Sequence, residues 1–177
     1  MNIQKTNIKG VYIIELDPKN DERGFFLTSF YKQEFESNGL PHELLQTNRS
    51  FTTTKGTIRG IHFQKAPFSQ DKLVECLVGA MYDVVIDLRP KSETYKQWIA
   101  IELNNQNKKM IFVPQGLAHG FQTLTNNCLM QYHIMSNYYM PDYESGVLWN
   151  DPVFNISWPI PNPLLNKRDK TWPIFKG

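Results

Sequence analysis

The sequence predicts an all-β protein, a sandwich or barrel of many short strands with one short peripheral helix. Hydrophobicity alternates with a period of two in one segment after another, and clusters of turn-forming residues separate those segments at close spacing. Aromatic residues make up 13% of the 177-residue chain, which suits a packed β-rich core. A chain of this length buries roughly 70% of the surface its unfolded form exposes, so one domain over residues 1–177 is expected.

The elements follow in order. Residues 11–16 and 25–30 read as extended, and residues 32–37 as a short helix that stops at Asn38-Gly39, where glycine can take the left-handed conformation that ends helices. Residues 43–51 and 73–78 are again extended; between them Arg59-Gly60-Ile61-His62-Phe63-Gln64 follows a turn at Lys55-Gly56. In Met81-Tyr82-Asp83-Val84-Val85-Ile86-Asp87-Leu88-Arg89 the even positions are all apolar, whereas Asp83, Asp87 and Arg89 share the other face, the pattern of a half-buried strand. Segments 98–103, 110–113 and 129–135 repeat the extended pattern, set apart by Arg89-Pro90-Lys91-Ser92, Asn104-Asn105-Gln106-Asn107 and Asn126-Asn127. From Asp151 onward, Pro152, Pro159, Pro161, Pro163 and Pro173 predict irregular chain laid over the barrel surface.

Composition narrows the function. With 41% hydrophobic and 20% charged residues the chain is neither a disordered tail nor a membrane span. Its formal charge of +2, from 19 basic and 17 acidic residues, includes no polybasic stretch; this argues against bulk nucleic-acid binding and leaves room for a small anionic ligand. Cys76 and Cys128 form no Cys-x-x-Cys pair and are expected as free buried thiols. Met1-Asn2-Ile3-Gln4-Lys5-Thr6 lacks the apolar core of a signal peptide, and no window approaches about 18 apolar residues. A cytoplasmic location is expected.

Two segments stand out chemically. Strict alternation along Arg59-Gly60-Ile61-His62-Phe63-Gln64 puts Arg59, Ile61 and Phe63 on one side and His62 and Gln64 on the other. An arginine beside a histidine is costly to bury without an anion, so the segment reads either as an anion-facing site or as a surface arginine next to a hydrogen-bonded core histidine. Pro114-Gln115-Gly116-Leu117-Ala118-His119-Gly120-Phe121 is the second, a rigid turn leading into a histidine that is as readily structural. Together they resemble the two motifs of the cupin barrels: Pro114, Gly116 and His119 match the second motif's Pro-x-Gly-x-x-His, and Gly79 stands where the first motif ends. Metal-binding cupins need a His-x-His pair and a Glu. His62-Phe63-Gln64 offers one imidazole and an amide, so no metal is expected.

A longer series of motifs carries a closer resemblance. Asp21-Glu22-Arg23-Gly24-Phe25-Phe26, Gln46-Thr47-Asn48-Arg49-Ser50, the Arg59 to Gln64 segment, Gln70-Asp71-Lys72-Leu73-Val74, the Asp83 strand, Ala118-His119-Gly120-Phe121, Trp149-Asn150-Asp151-Pro152 and Ile156-Ser157-Trp158-Pro159 occur in that order. They are similar to the successive motifs of the dTDP-4-dehydrorhamnose 3,5-epimerase family, over about residues 10–173. The resemblance implies a cupin-type jelly-roll β-barrel that works as a homodimer. It also implies an isomerase that needs neither metal nor coenzyme and converts dTDP-4-dehydro-6-deoxy-D-glucose to dTDP-4-dehydro-L-rhamnose. A 4-keto group acidifies the protons on C3 and C5, so inversion there needs a base, a stabiliser for the enolate oxygen and an acid on the opposite face.

By the same resemblance His62 is the base, Asp169 the carboxylate that orients it, Lys72 the cation beside the enolate oxygen and Tyr132 the acid. Arg23 and Arg59 match contacts to the diphosphate, Gln46 and Asn48 contacts to the base or its neighbours, and Tyr138 the aromatic that stacks on the base. Phe26, His119, Glu144 and Arg168 match further ligand contacts. The apolar segment 10–16, added to a neighbouring sheet edge, would support the implied homodimer.

Two departures from the family pattern matter. Thr28 stands where the family usually has Glu. The acid position is also ambiguous: counting from His119 it falls on Tyr132, but counting back from Pro141 it falls on His133, because one extra residue lies between the anchors. A slip of one exchanges the faces of a strand unless a bulge absorbs it, and the expectation is Tyr132 with a bulge near Ile134 or Met135. Inversion at one carbon only, or a non-catalytic sugar-nucleotide-binding barrel, are the alternatives; deuterium uptake and product configuration separate them.

Overall fold

A computed structural model describes residues 1–177. Its strands are β1 (Asn2–Lys5), β2 (Tyr12–Glu15), β3 (Lys19–Asp21), β4 (Gly24–Phe26), β5 (Gln46–Thr52), β6 (Ile58–Gln64), β7 (Lys72–Val78), β8 (Ala80–Asp87), β9 (Trp98–Asn104), β10 (Lys109–Val113), β11 (Leu117–Thr123), β12 (Cys128–Ile134) and β13 (Glu144–Gly146). One helix, α1 (Lys32–Ser37), lies between β4 and β5 and ends at Gly39, whose φ of 68° is the left-handed conformation the sequence calls for there.

Six strands form one sheet in the order β1-β2-β10-β7-β12-β5, and five form the other in the order β13-β6-β11-β8-β9. These are the walls of a jelly-roll barrel. β3 and β4 pair only with each other. Between the walls, Ile8, Val74, Met81, Val85, Ile111 and Phe121 belong to one buried apolar cluster. On the far side of the six-stranded sheet, Phe35 of α1 packs with Ile14, Leu73, Met110 and Phe112. Burial of such a phenylalanine contributes about 1.5–3 kcal/mol, which fixes a helix too short to persist alone.

Three expectations need correction. β8 is not half-buried: Asp83 and Asp87 are both 0% exposed. Its even face, with Val84 and Ile86, lies under the proline-rich tail against Phe154 and Trp158, and its odd face turns into the barrel with Met81 and Val85. Alternation of polarity identified the strand, but both faces are covered, and the carboxylates are satisfied internally. Asp87 accepts bonds from Arg89, Ser92 and Thr94; these outweigh burial, which alone would raise its pKa, and hold it far below the ordinary carboxylate range.

Segment 10–16 is not a sheet edge. β2 is paired on one side with β10 and on the other with β1, which forms a hairpin back over it. The free edges of that sheet are β1 and β5. Third, the extended run expected over 25–30 stops at Phe26, because β4 has no partner beyond the three pairs it makes with β3. Leu27 and Phe30 instead pack against the α1 cluster. Cys76 and Cys128 are free and buried.

Candidate active site

The barrel interior opens as two cavities of about 330 and 200 Å³ that share His62, Lys72, Tyr132 and Arg168. The six-stranded sheet supplies Gln46 and Asn48 from β5, Lys72 from β7 and Tyr132 from β12, each at the even spacing that keeps one face inward. β6 and β11, from the opposite wall, supply Arg59, His62 and His119.

Arg59 and His62 both line the smaller cavity, which strict alternation forbids. His119 pairs with His62 but Phe121 pairs with Arg59, so β6 carries one residue more than β11 between these pairs, and the bulge returns both side chains to the same side. Glycine is required there, since a Cβ on Gly60 would lie 2.7 Å from Gly120 Cα and 2.9 Å from His119 O. Arg59 is held by its Nε bond to Thr52 Oγ1 at 2.9 Å.

Asp169, in the irregular tail, is 0% exposed and lies against His62, with 2.7 Å between Asp169 Oδ1 and His62 Nε2. Burial pushes its pKa up, but the hydrogen bond from His62 and the charge that ring carries when protonated, the Gly60 N–H at 3.2 Å and the charge of Arg168 prevail and keep it below the ordinary value. An ionised carboxylate only accepts, so Nε2 carries the proton and Nδ1 holds the free lone pair. His119 and Asp83 form a second, more deeply buried pair, with Nε2 donating at 2.9 and 3.0 Å. Burial lowers the Lys72 pKa to about 8, against the raising influence of Glu144 and Asp83. Tyr132 is pushed up by burial and by the charge of Glu144.

The register on β12 separates the two candidates for the acid position. Tyr132 pairs with Asn48 and Val74 and faces the cavity. His133 pairs with Thr47 and Leu73, on the side facing α1; its Nδ1 lies 2.8 Å from Thr47 Oγ1, and burial lowers its pKa. The expected bulge near Ile134 or Met135 is absent: β12 pairs with β5 without interruption from Cys128 to Ile134. The one register shift against β7 falls between Leu129 and Met130, opposite the step from Val78 to Cys76. Beyond Ile134 the chain leaves the sheet, and Gln64 pins the connecting segment by donating to Tyr138 O and accepting from the Met140 N–H.

Glu144 and Arg168 line the cavity as expected, and both belong to a cluster in which Arg168 Nη1 and Tyr139 Oη donate to Glu144 Oε2 at 2.8 and 2.6 Å. Of the two adjacent tyrosines it is Tyr139 that lines the cavity, whereas Tyr138, the one expected, is 64% exposed and does not. Asp83 and Gln64 were also missed as supports, although both stand inside the quoted motifs. Arg23 and Phe26 do not reach this chain's own cavity. Arg23 is exposed and paired with Asp21, and Phe26, 73% exposed, borders a separate cavity with Thr28, Met1 and Tyr31. No group of three or more His, Cys, Asp and Glu side chains is placed to hold a metal ion.

A jelly-roll barrel with an imidazole on one wall, backed by a carboxylate from the tail, and a lysine and a phenol on the other defines the class: a cupin-fold isomerase. The chain belongs to the dTDP-4-dehydrorhamnose 3,5-epimerase family, whose model matches residues 5–177. The Shigella flexneri dTDP-4-dehydrorhamnose 3,5-epimerase is 42% identical over 170 residues, 96% of this chain and 93% of the relative. A Streptomyces niveus relative, 37% identical over 96% of this chain and 82% of its own, is a dTDP-4-dehydrorhamnose 3-epimerase. The crystal structure of the Bacillus anthracis 3,5-epimerase with TDP and PPi bound superposes with a TM-score of 0.95 at 41% identity, covering 98% of this chain and 99% of that one. The Legionella pneumophila enzyme in complex with dTDP-4-keto-L-rhamnose gives 0.92 at 35% identity, covering 98% and 92%.

Proposed function

We propose that this chain epimerises C3 and C5 of dTDP-4-dehydro-6-deoxy-D-glucose to give dTDP-4-dehydro-L-rhamnose, with His62 as base and Tyr132 as acid. The observation that carries this reading is that the two side chains stand on opposite walls of one cavity, β6 and β12, as delivery of a proton to the face opposite its removal demands. His62 Nδ1 takes the proton next to the 4-keto group, and the charge it gains is held by Asp169. Lys72 faces the enolate oxygen as negative charge develops there. Tyr132 then returns a proton from the other side. Arg59 takes the diphosphate, for which a guanidinium fork suits phosphate oxygens, while Gln46 and Asn48 bond the nucleoside end. His119, fixed by Asp83, and the Glu144–Arg168 pair shape the rest of the pocket. Proton NMR of the sugar formed by the purified protein tests the reading. Inversion at both carbons is expected; inversion at one identifies a mono-epimerase, and unchanged substrate identifies a binding barrel.

We further infer a homodimer acting in the cytoplasm. No helix is long and apolar enough to cross a membrane. Contacts of Arg23 and Phe26 with substrate need the β3–β4 hairpin of one copy to reach the cavity of another, since neither residue lines its own. Light scattering is expected to give about twice the 20.7 kDa of one chain; the monomer mass at micromolar concentration contradicts it.

The Lys72 role carries a pH dependence. A lysine at about 8 is mostly charged at neutral pH and loses its charge as pH rises through that value. The Tyr132 phenol, pushed above its usual value, does not titrate in that window. kcat/KM, which reports the free enzyme, is expected to bend downward near pH 8 and fall about tenfold per unit beyond it. Lys72→Met should show a lower profile without that bend. A wild-type profile flat to about pH 9.5 contradicts the role.

A further inference from the structure

Asp169 sits on an irregular segment, yet its carboxylate has to hold one place against His62. The backbone bonds nearest to it are local: its N–H donates to Asn166 Oδ1 at 2.7 Å, and Thr171 N–H donates to Arg168 O at 2.9 Å. The tail is tied to β6 upstream, where Ile58 N–H donates to Leu164 O at 2.9 Å, and at the carboxylate, where Gly60 N–H donates at 3.2 Å, but the turn that carries Asp169 is not itself part of a ladder. Its two flanks are fastened to β13. On one side Arg168 bonds Glu144; on the other, the ring of Trp172 lies on Gly146.

Gly146 is the residue paired with His62 across β13 and β6. A Cβ at Gly146 would lie 2.5 Å from Trp172 Cδ2 and 2.6 Å from Ile61 O, so the missing side chain lets both the indole and the neighbouring strand close in. The Trp172 ring meets the His62 ring edge-on, 5.8 Å between centroids at 67°, and the Arg168 guanidinium stands 5.9 Å from it. Trp172 Nε1 is buried without a hydrogen-bond partner. Whatever holds this residue here is therefore the ring and not its N–H, which leaves a desolvated donor unpaired.

We propose that Trp172 is a positioning residue: seated on Gly146, its indole fixes the reach of Asp169 to His62 and walls one side of the imidazole, so that Nδ1 keeps a single direction toward the substrate. This rests on the reading of His62 as the base. It acts on proton removal and not on the nucleoside end, since the ring lies against Gly146, His62 and Arg168 and away from Gln46 and Asn48, which line the larger cavity from β5. Misplacement of a reacting group by a fraction of an ångström to an ångström is enough to cost one to two orders of magnitude in rate.

The test is a set of variants assayed for kcat, KM, dTDP affinity and deuterium uptake from solvent. Trp172→Leu is expected to lower kcat about tenfold and slow deuterium uptake in proportion, with KM and dTDP affinity within about twofold of wild type. Trp172→Phe keeps a smaller ring on the same seat, giving up part of the wall but no hydrogen bond, since Nε1 has no partner; kcat is expected to drop about threefold at unchanged KM. In an Asp169→Asn background, where the route through the carboxylate is cut and only the direct wall on the imidazole is left, adding Trp172→Leu should cost clearly less than the roughly tenfold expected in the wild-type background. Wild-type kcat in the leucine variant, a KM that rises as far as kcat falls, or an undiminished loss in the Asp169→Asn background overturns the proposal. Should the leucine variant fail to bind dTDP, the phenylalanine variant decides alone, and wild-type kcat there overturns it. His62→Asn run beside these separates the two levels: an active His62→Asn variant removes the base assignment itself, whereas an inactive one next to a fully active Trp172→Leu removes only the role of Trp172.

Discussion

His62→Asn is expected to lower turnover by at least about 100-fold while leaving dTDP affinity and thermal unfolding close to wild type. His62 has a carboxylate on Nε2 and a free lone pair on Nδ1, the arrangement that takes up a proton and stabilises the charge gained; His119 is paired in the same way with Asp83 but is more deeply buried and lines only the smaller cavity. Asparagine can keep a hydrogen bond to Asp169 but cannot accept the proton. Loss of a positioned general base costs about two to four orders of magnitude. Binding should survive, because Arg59, Gln46 and Asn48 are held by bonds that do not involve His62. Turnover within threefold of wild type contradicts the assignment.

The second large effect is expected at Tyr132. Tyr132→Phe should lower formation of the epimerised sugar by about 100-fold, while exchange of substrate hydrogen with solvent persists, since His62 can remove a proton and return it on one face. The phenol, with an ordinary pKa of about 10 and pushed higher by burial and Glu144, is protonated across the working range and available as an acid. His133 faces α1 and bonds Thr47, so His133→Asn should change turnover little. An inactive His133→Asn variant beside an active Tyr132→Phe would show that the reactive register runs through residue 133.

Much of this was legible from the residues. Period-two alternation located most of the strands, and the Asn38-Gly39 stop set the end of α1. Alternation could not say what lay beyond each face, so Asp83 and Asp87 looked solvent-facing when the barrel interior and the tail cover both sides of β8. Nor could it reveal the bulge at Gly60, which depends on how β6 meets β11 and puts Arg59 beside His62. Segment 10–16 is apolar as an edge strand would be, yet β1 covers it, a pairing set by the hairpin and invisible in the segment's own composition. The motif order gave Asp169 as the partner of His62 across 107 positions, a juxtaposition no local pattern encodes. The one-residue surplus between His119 and Pro141 could be counted but not placed, and of two adjacent tyrosines the expected one, Tyr138, is not the one that lines the cavity. Arg23 and Phe26 match the family by sequence and stand away from this chain's own cavity, Arg23 paired with Asp21 and Phe26 bordering a separate cavity.

The central claim is that a proton leaves to one wall of the barrel and another arrives from the opposite wall. Incubation of the wild-type protein with dTDP-4-dehydro-6-deoxy-D-glucose in deuterated water, followed by NMR of the sugar, tests it most directly. The account predicts dTDP-4-dehydro-L-rhamnose carrying solvent deuterium at both C3 and C5, whereas an inverted product that retains its original hydrogen at those carbons, or no deuterium uptake at all, contradicts it.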